Sequence, residues 1–113
     1  MQLAADLMDV LLERAETVCT AESLTGGLLC AYLTAAPGAS QSVRGGVVAY
    51  MTDVKRDVVG VDPALLHSYG AVSAPTAVAL ARNASRLFLA DWAIATTGVA
   101  GPSEQEGKPV GTV

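Results

Sequence analysis

Ser23 is the residue whose type and position most suggest chemistry in this 113-residue chain. It lies in the segment Thr20–Gly27 (TAESLTGG), between a predicted buried strand and a predicted helix. In open α/β sheets, ligands bind where parallel strands end and the next helix begins. A serine hydroxyl at such a place becomes a nucleophile when a base accepts its proton. The alternative is structural, since Ser23 or Thr25 can cap the following helix.

The base for Ser23 must come from one histidine or two lysines. His67 has no carboxylate at a spacing that suggests a catalytic triad. Lys108 lies in a polar segment that we expect to be mobile. Lys55 follows the second predicted strand and can meet Ser23 at the carboxyl edge of a sheet. It accepts a proton if burial or a neighbouring cation lowers its pKa well below about 10.4; the alternative is a solvated surface lysine.

Two glycine-containing turns are candidates for binding a polar or anionic ligand. The first follows Ser23, where backbone amides at the start of a helix suit a phosphate or a developing oxyanion. The second follows the third predicted strand and leaves its amides open to a phosphate or a ribose. We assign substrate contacts to these residues of the two turns: Thr25, Gly26, Gly27, Thr97, Gly98 and Gly101. Tyr50 ends the second strand and either contacts a ligand or packs its ring against the protein.

The elements that position these residues alternate between helix and strand. The apolar spacing predicts strands over 18–20, 43–50 and 92–97. It predicts helices from the start of the chain to about 15, over 27–35, over 52–59 with a cap from Thr52 or Asp53, from Asp62, and over 73–88. Residues 109–113 are expected to begin a further strand. This alternation, with many Ala and Val and few aromatic residues, favours an α/β sandwich.

Composition limits the classes of protein to which the chain can belong. With 51% hydrophobic residues, the chain 1–113 is expected to form one packed domain. A net charge of −4 and a pI near 4.7 argue against a nucleic-acid surface. No apolar run reaches the roughly 18 residues that span a bilayer and no signal peptide is recognisable, so we expect a cytoplasmic protein without membrane contact. Cys19 and Cys30 are predicted to be buried thiols rather than partners in a disulfide or ligands of a zinc ion.

Five separated motifs, taken in order, closely resemble the CinA C-terminal domain family. They are TAESLTGG (20–27), GGVVAY (45–50) with KRD (55–57), GAVS (70–73), TGVAGP (97–102) and KPVGTV (108–113). Together these motifs extend over nearly the whole chain. The resemblance therefore implies a fold and an activity that the patterns above do not specify.

The resemblance implies a three-layer α/β/α sandwich and a nicotinamide mononucleotide amidohydrolase, which releases ammonia and leaves nicotinate mononucleotide. It implies Ser23 as the nucleophile, Lys55 as its activating partner and Tyr50 in the substrate pocket. It also implies a homo-oligomer acting on a small nucleotide, with no metal and no cofactor. Because the chain is acidic, we expect Arg44 or Arg56 to help bind the phosphate.

The sequence departs from the family pattern in ways that leave a second interpretation open. Leu24 stands where relatives frequently have Cys, and the loop 101–108 is less glycine-rich than in many of them. The chain stops within an apolar run, so we expect a fragment without the family's final strand and helix, a region expected to supply a substrate-binding arginine. The alternative function is a non-catalytic nucleotide-binding or partner-docking module of a competence- or damage-linked protein.

Overall fold

Three parallel strands form the centre of the fold, which a computed structural model describes over residues 2–113. They are β1 (Val18–Glu22), β2 (Val43–Val48) and β3 (Trp92–Ala95), in the order β2-β1-β3. All of β1 is buried, as is usual for a parallel strand that is covered on both faces. Ala21 pairs with Val47 on one side and with Ala95 on the other. The carboxyl ends of the three strands therefore meet at one edge of the sheet.

Helices cover both faces of this sheet, which confirms the expected α/β sandwich. They are α1 (Gln2–Arg14), α2 (Leu28–Thr34), α3 (Ala39–Ser42), α4 (Thr52–Asp57), α5 (Pro63–Tyr69) and α6 (Ala74–Phe88). On one face Val18 clusters with Met8 and Leu33, and on the other Cys19 clusters with Leu80. Successive residues of β1 thus enter opposite cores, as the two-residue period of a strand requires. Within residues 2–113, none of the helices combines the length and apolarity needed to cross a bilayer.

Two helices begin where the sequence predicts, each with a side-chain cap. Asp62 Oδ1 accepts a hydrogen bond from the Ala64 amide at 2.9 Å, at the start of α5. Ser73 Oγ accepts one from the Thr76 amide at 3.3 Å, at the start of α6. Each side chain satisfies a backbone donor that has no partner within its helix.

Three expectations were wrong in detail. The helix α4 begins without a side-chain cap from Thr52 or Asp53. Residues 109–113 form turns rather than a strand, and Gly111 within them adopts a left-handed φ of 90°. Cys19 is fully buried, and burial raises the pKa of its thiol, with a smaller contribution from Cys30. Cys30 itself is half-buried, so the prediction of two buried thiols holds for Cys19 alone.

The core around α6 predicts a large difference between two leucines of the same helix. Leu80 is 1% exposed, whereas Leu87 is 58% exposed. We expect Leu80→Ala to lower the free energy of unfolding by about 2–5 kcal/mol, because it removes buried contacts and leaves a cavity. The matched change Leu87→Ala should alter it by about 0.5 kcal/mol or less. Urea denaturation measures both values, and equal losses would contradict this description of the core.

Candidate active site

Ser23 and Lys55 meet at the edge of the sheet where β1 and β2 end. Ser23 directly follows β1, and Lys55 lies in α4, which follows β2. Because the two strands are parallel neighbours, their ends bring both residues to the same place. Lys55 Nζ lies 2.8 Å from Ser23 Oγ. Only 2% of Lys55 and 6% of Ser23 are exposed, so the contact is shielded from bulk water.

The amino group of Lys55 is held by uncharged oxygen atoms. It donates to the backbone carbonyls of Ala49 and Tyr50, each at 2.9 Å. Burial lowers the pKa of Lys55 below its ordinary value of 10.5, and the Glu106 carboxylate opposes that shift. A neutral amine has two N–H donors and one lone pair, which matches two carbonyl acceptors and one hydroxyl. The surroundings therefore suit an uncharged lysine that accepts the proton of Ser23.

Contacts to β3 and its extension hold the turn that carries Ser23. The Ser23 amide donates to Thr96 O at 3.2 Å, and Thr25 Oγ1 lies 2.8 Å from Thr96 Oγ1. Gly26 and Gly27 adopt left-handed φ values of 60° and 106°. This conformation favours glycine, and it lets the chain turn sharply from β1 into α2. The turn thus fixes the position of the Ser23 hydroxyl over the ends of the strands.

Glu22 holds the start of α2, a role that the sequence analysis missed. Its carboxylate is buried and accepts hydrogen bonds from the Leu29 amide at 2.8 Å and the Cys30 amide at 2.9 Å. Burial raises the pKa of Glu22, but these bonds, with others from Thr25 and Gly27, outweigh burial and lower the pKa below its ordinary value of 4.5. A glutamate at the end of an otherwise apolar or hydroxyl-bearing strand is the signal that could have identified it.

The first glycine turn lies outside the lining of the cavity beside Ser23. Thr25, Gly26 and Gly27 do not line the cavity beside Ser23. The Gly26 amide donates to Ser23 O at 3.0 Å, and Glu22 receives the amides at the start of α2. These donors are therefore directed into the protein rather than towards a ligand. Neither Ser23 nor Thr25 caps α2, which is preceded by Gly27 without a side-chain cap.

A cavity of about 100 Å³ opens over Ser23 and Lys55. By the same measure one water molecule needs roughly 10–15 Å³, so there is room for a small polar group such as a carboxamide. Thr97, Gly98 and Gly101, which follow β3, line this cavity. Further lining residues include Leu24, Tyr50, Ala71, Val72 and Gln105. The second glycine turn therefore lies beside Ser23, in contrast to the first.

The remaining candidates differ in where the structure places them. Tyr50 lies at the rim of the cavity and is 60% exposed, so its ring is not packed in the core. His67 is exposed on α5 and does not line the cavity. Arg44 donates to the backbone carbonyl of Phe88, and Arg56 pairs with a neighbouring aspartate, so neither guanidinium lies in the cavity. Within residues 2–113, no group of three His, Cys, Asp or Glu side chains could hold a metal ion.

Comparison with known proteins points to one family. The family model of the CinA C-terminal domain matches residues 1–113. A CinA-like protein of Frankia casuarinae is 50% identical over 107 residues, which are 95% of this chain and 25% of that protein. A CinA-like protein of Mycobacterium avium is 56% identical over 97 residues, or 85% of this chain and 22% of that protein. The chain thus spans about a quarter of the length of these curated relatives.

Solved structures show the same fold. A competence/damage inducible protein of Agrobacterium tumefaciens superposes with a TM-score of 0.91 at 41% identity, over 96% of this chain and 67% of that one. The competence damage-inducible protein A of Klebsiella pneumoniae superposes with a TM-score of 0.93 at 36% identity, over 97% of this chain and 69% of that one. The parallel sheet with its flanking helices is therefore the arrangement of these proteins as well.

The Glu22 contacts predict a pH-dependent contribution to stability. We expect Glu22→Gln to lower the free energy of unfolding by about 2–3 kcal/mol at neutral pH, because an amide cannot accept both hydrogen bonds. The folded-state pKa is lowered, so the wild-type advantage is present above 4.5 and is lost as the pH falls through the folded value.

Chemical denaturation of both proteins across this pH range measures the difference. Glu13→Gln is the matched control, since Glu13 is exposed on α1. A wild-type advantage that stays constant as the pH is lowered would contradict the assigned role of the Glu22 charge.

Proposed function

The chain belongs to the CinA C-terminal domain family, and on that premise we propose that it hydrolyses nicotinamide mononucleotide to nicotinate mononucleotide and ammonia. The observation that carries this proposal is the 2.8 Å contact between the buried Ser23 hydroxyl and the buried Lys55 amine. A serine with a neutral lysine as its base is suited to acyl transfer from an amide. We propose that residues 1–113 act as one domain of this family, in a cytoplasmic homo-oligomer.

The first half of the reaction forms an ester on Ser23. Ser23 Oγ attacks the carboxamide carbon while Lys55 Nζ takes the hydroxyl proton. The tetrahedral intermediate collapses as Lys55 returns that proton to the nitrogen of the leaving group, which departs as ammonia. The nicotinoyl group then remains bound to Ser23 as an ester. Lys55 is neutral again and ready for the second half.

The second half releases the acid. A water molecule attacks the ester carbon while Lys55 takes one of its protons. The carbon–oxygen bond to Ser23 breaks, and Lys55 returns the proton to Ser23 Oγ. The product leaves as a carboxylate after it loses its own proton to solvent. One lysine thus serves as base and acid in both halves, which requires a pKa that is not held high by a bonded carboxylate.

Two backbone amides are candidates for stabilising the oxyanion. Leu24 follows the nucleophile directly, a position from which a backbone amide serves this role in other serine hydrolases. Gly98 also lines the cavity, and its amide is not obstructed by a side chain of its own. Among residues 2–113 neither amide donates a hydrogen bond to another group. Both can therefore bind the developing charge without breaking an existing contact.

The rest of the substrate is proposed to lie across the open mouth of the cavity. The exposed ring of Tyr50 at the rim offers a face on which the pyridine can stack. Thr97 and Gly101 line the wall after β3, where the ribose or the phosphate can bind. Tyr50 is thus proposed to bind substrate through its ring, while its backbone carbonyl orients Lys55.

Removal of the Ser23 hydroxyl tests the proposed nucleophile. We expect Ser23→Ala to lower the rate of ammonia release from nicotinamide mononucleotide by at least about a thousandfold, because no ester can form. Lys55→Met should lower kcat by about a hundredfold or more, because general-base catalysis is lost. The control is Ser40→Ala, which changes an exposed serine outside the cavity and should leave the rate unchanged.

Undiminished ammonia release by Ser23→Ala would refute the mechanism. Calorimetric titration with nicotinamide mononucleotide distinguishes the proposed enzyme from the alternative, a non-catalytic binding module. Binding without turnover by the wild-type protein would favour a nucleotide-binding module instead of an enzyme.

The environment of Lys55 predicts the direction of the pH dependence. The neutral amine is the reactive form, so kcat/KM should rise with pH as Lys55 loses its proton. Because burial lowers the pKa of Lys55, the midpoint of this rise should lie below 10.5. Steady-state rates measured between neutral pH and that value provide the test. A rate that falls steadily over this range would contradict the role of Lys55 as the base.

A further inference from the structure

The carboxylate of Glu106 bonds to two successive backbone amides across the cavity wall. The Ala71 amide donates to Oε2 at 2.8 Å, and the Val72 amide donates to Oε1 at 3.0 Å. Successive amides that converge in this way form a small anion-binding nest. Gly70 precedes them with a φ of 78°, and a Cβ on it would lie 2.4 Å from Glu106 Oε1. The nest therefore depends on a residue without a side chain at position 70.

These bonds fasten residues 98–113, which we call the strap, to the turn 70–72. Within the strap, the Val99 amide donates to Thr112 O and the Gly111 amide donates to Val99 O, each at 2.8 Å. At its base, Thr97 Oγ1 donates to Ala71 O at 2.7 Å. The turn 70–72 therefore has hydrogen bonds both to Thr97, just before the strap, and to the strap itself. Glu106 supplies the contact that lies further along the strap.

The strap forms much of the cavity wall that faces Ser23. Its lining residues are Gly98, Val99, Ala100, Gly101, Ser103 and Gln105. Ala71 and Val72, which donate to Glu106, line the same cavity. A displacement of the strap from the turn would therefore change the shape of the surface that meets the substrate. The Glu106 side chain is 28% exposed, so it can be replaced without opening the core.

Glu106 also acts on the charge of Lys55. Its carboxylate favours the protonated amine, in opposition to burial. Lys108 Nζ lies 3.9 Å from Glu106 Oε1 and balances part of this negative charge. Neutralising Glu106 should consequently make the lysine lose its proton at a lower pH.

From these contacts we infer that Glu106 is a positioning residue that docks the strap onto the turn 70–72 and thereby shapes the substrate-facing wall of the site. The inference rests on the proposed amidohydrolase function for its kinetic consequences. It makes Glu106 a determinant of substrate affinity, although its carboxylate bonds to backbone amides rather than to reacting atoms. The length of the Glu106 side chain lets it bond to the turn, and its charge acts on Lys55. These two properties then have separate measurable effects.

The test compares Glu106→Ala, Glu106→Gln and the control Glu104→Gln. Glu104 is an exposed neighbour on the same strap and makes no hydrogen bond within residues 2–113. We expect Glu106→Ala to raise the KM for nicotinamide mononucleotide by about tenfold, with a smaller change in kcat, because both charged hydrogen bonds are lost. Hydrogen exchange at the Ala71 and Val72 amides, which donate to Glu106, should become faster. In both Glu106 variants the rise of kcat/KM with pH should move to lower pH, whereas Glu104→Gln should match the wild type.

Unchanged exchange at the Ala71 and Val72 amides in Glu106→Ala would overturn the inference, whatever the kinetics. A pH profile that stays in place, or moves to higher pH, would overturn the effect on Lys55. Glu106→Gln keeps the size of the side chain, so the pH profile can be measured with this variant if the alanine variant does not fold. Hydrogen exchange can be measured without turnover. A wild-type protein that releases no ammonia would therefore refute the amidohydrolase proposal, and hydrogen exchange would still test the contact between the strap and the turn 70–72.

Discussion

The burial of Lys55 against Ser23 without a bonded carboxylate is the constraint on which the rest of the site depends. A buried ammonium is unfavourable unless it is paired, and Lys55 has carbonyl oxygens and a hydroxyl as its hydrogen-bond partners. A carboxylate within bonding distance would stabilise the charged form and oppose the proposed role of Lys55 as a base. The fold meets this requirement by ending β1 and β2 side by side, so that a serine and the carbonyls after β2 surround the amine.

The same constraint explains the position of Glu22. This buried carboxylate directly precedes Ser23 in sequence, yet it lies on the other face of β1, where it bonds to the first amides of α2. Alternation along the strand keeps its charge away from Lys55, and the amides keep it ionised in a buried place. The start of α2 is therefore anchored by the protein itself. The amides of Leu29 and Cys30 are therefore not free to bind an anionic ligand.

Much of this arrangement was predictable from the sequence, and the reasons for the failures are physical. Ser23 and Lys55 follow two predicted strands, and parallel strand ends meet at one edge, so their proximity followed from topology. The sequence shows potential backbone donors after Ser23 but not their acceptors, so it did not reveal that Glu22 accepts the Leu29 and Cys30 amides. Residues 109–113 have the composition of a strand, but the left-handed Gly111 turns them back towards Val99. The Glu106 contact joins segments 35 residues apart, and no local pattern signals it.

Glu106 places a carboxylate close enough to Lys55 to act on its charge without reversing the effect of burial. The field of its carboxylate raises the pKa of Lys55, but burial is the larger effect, and the pKa is lowered overall. The carboxylate bonds to the Ala71 and Val72 amides rather than to Lys55, so it acts on the amine through its electrostatic field alone. The amides keep the carboxylate at the turn 70–72, with Lys108 Nζ 3.9 Å away, and it makes no hydrogen bond to Lys55. A hydrogen bond from Lys55 to this carboxylate would favour the ammonium, so the backbone at 70–72 supports the proposed role of Lys55 as a base as well as the shape of the cavity.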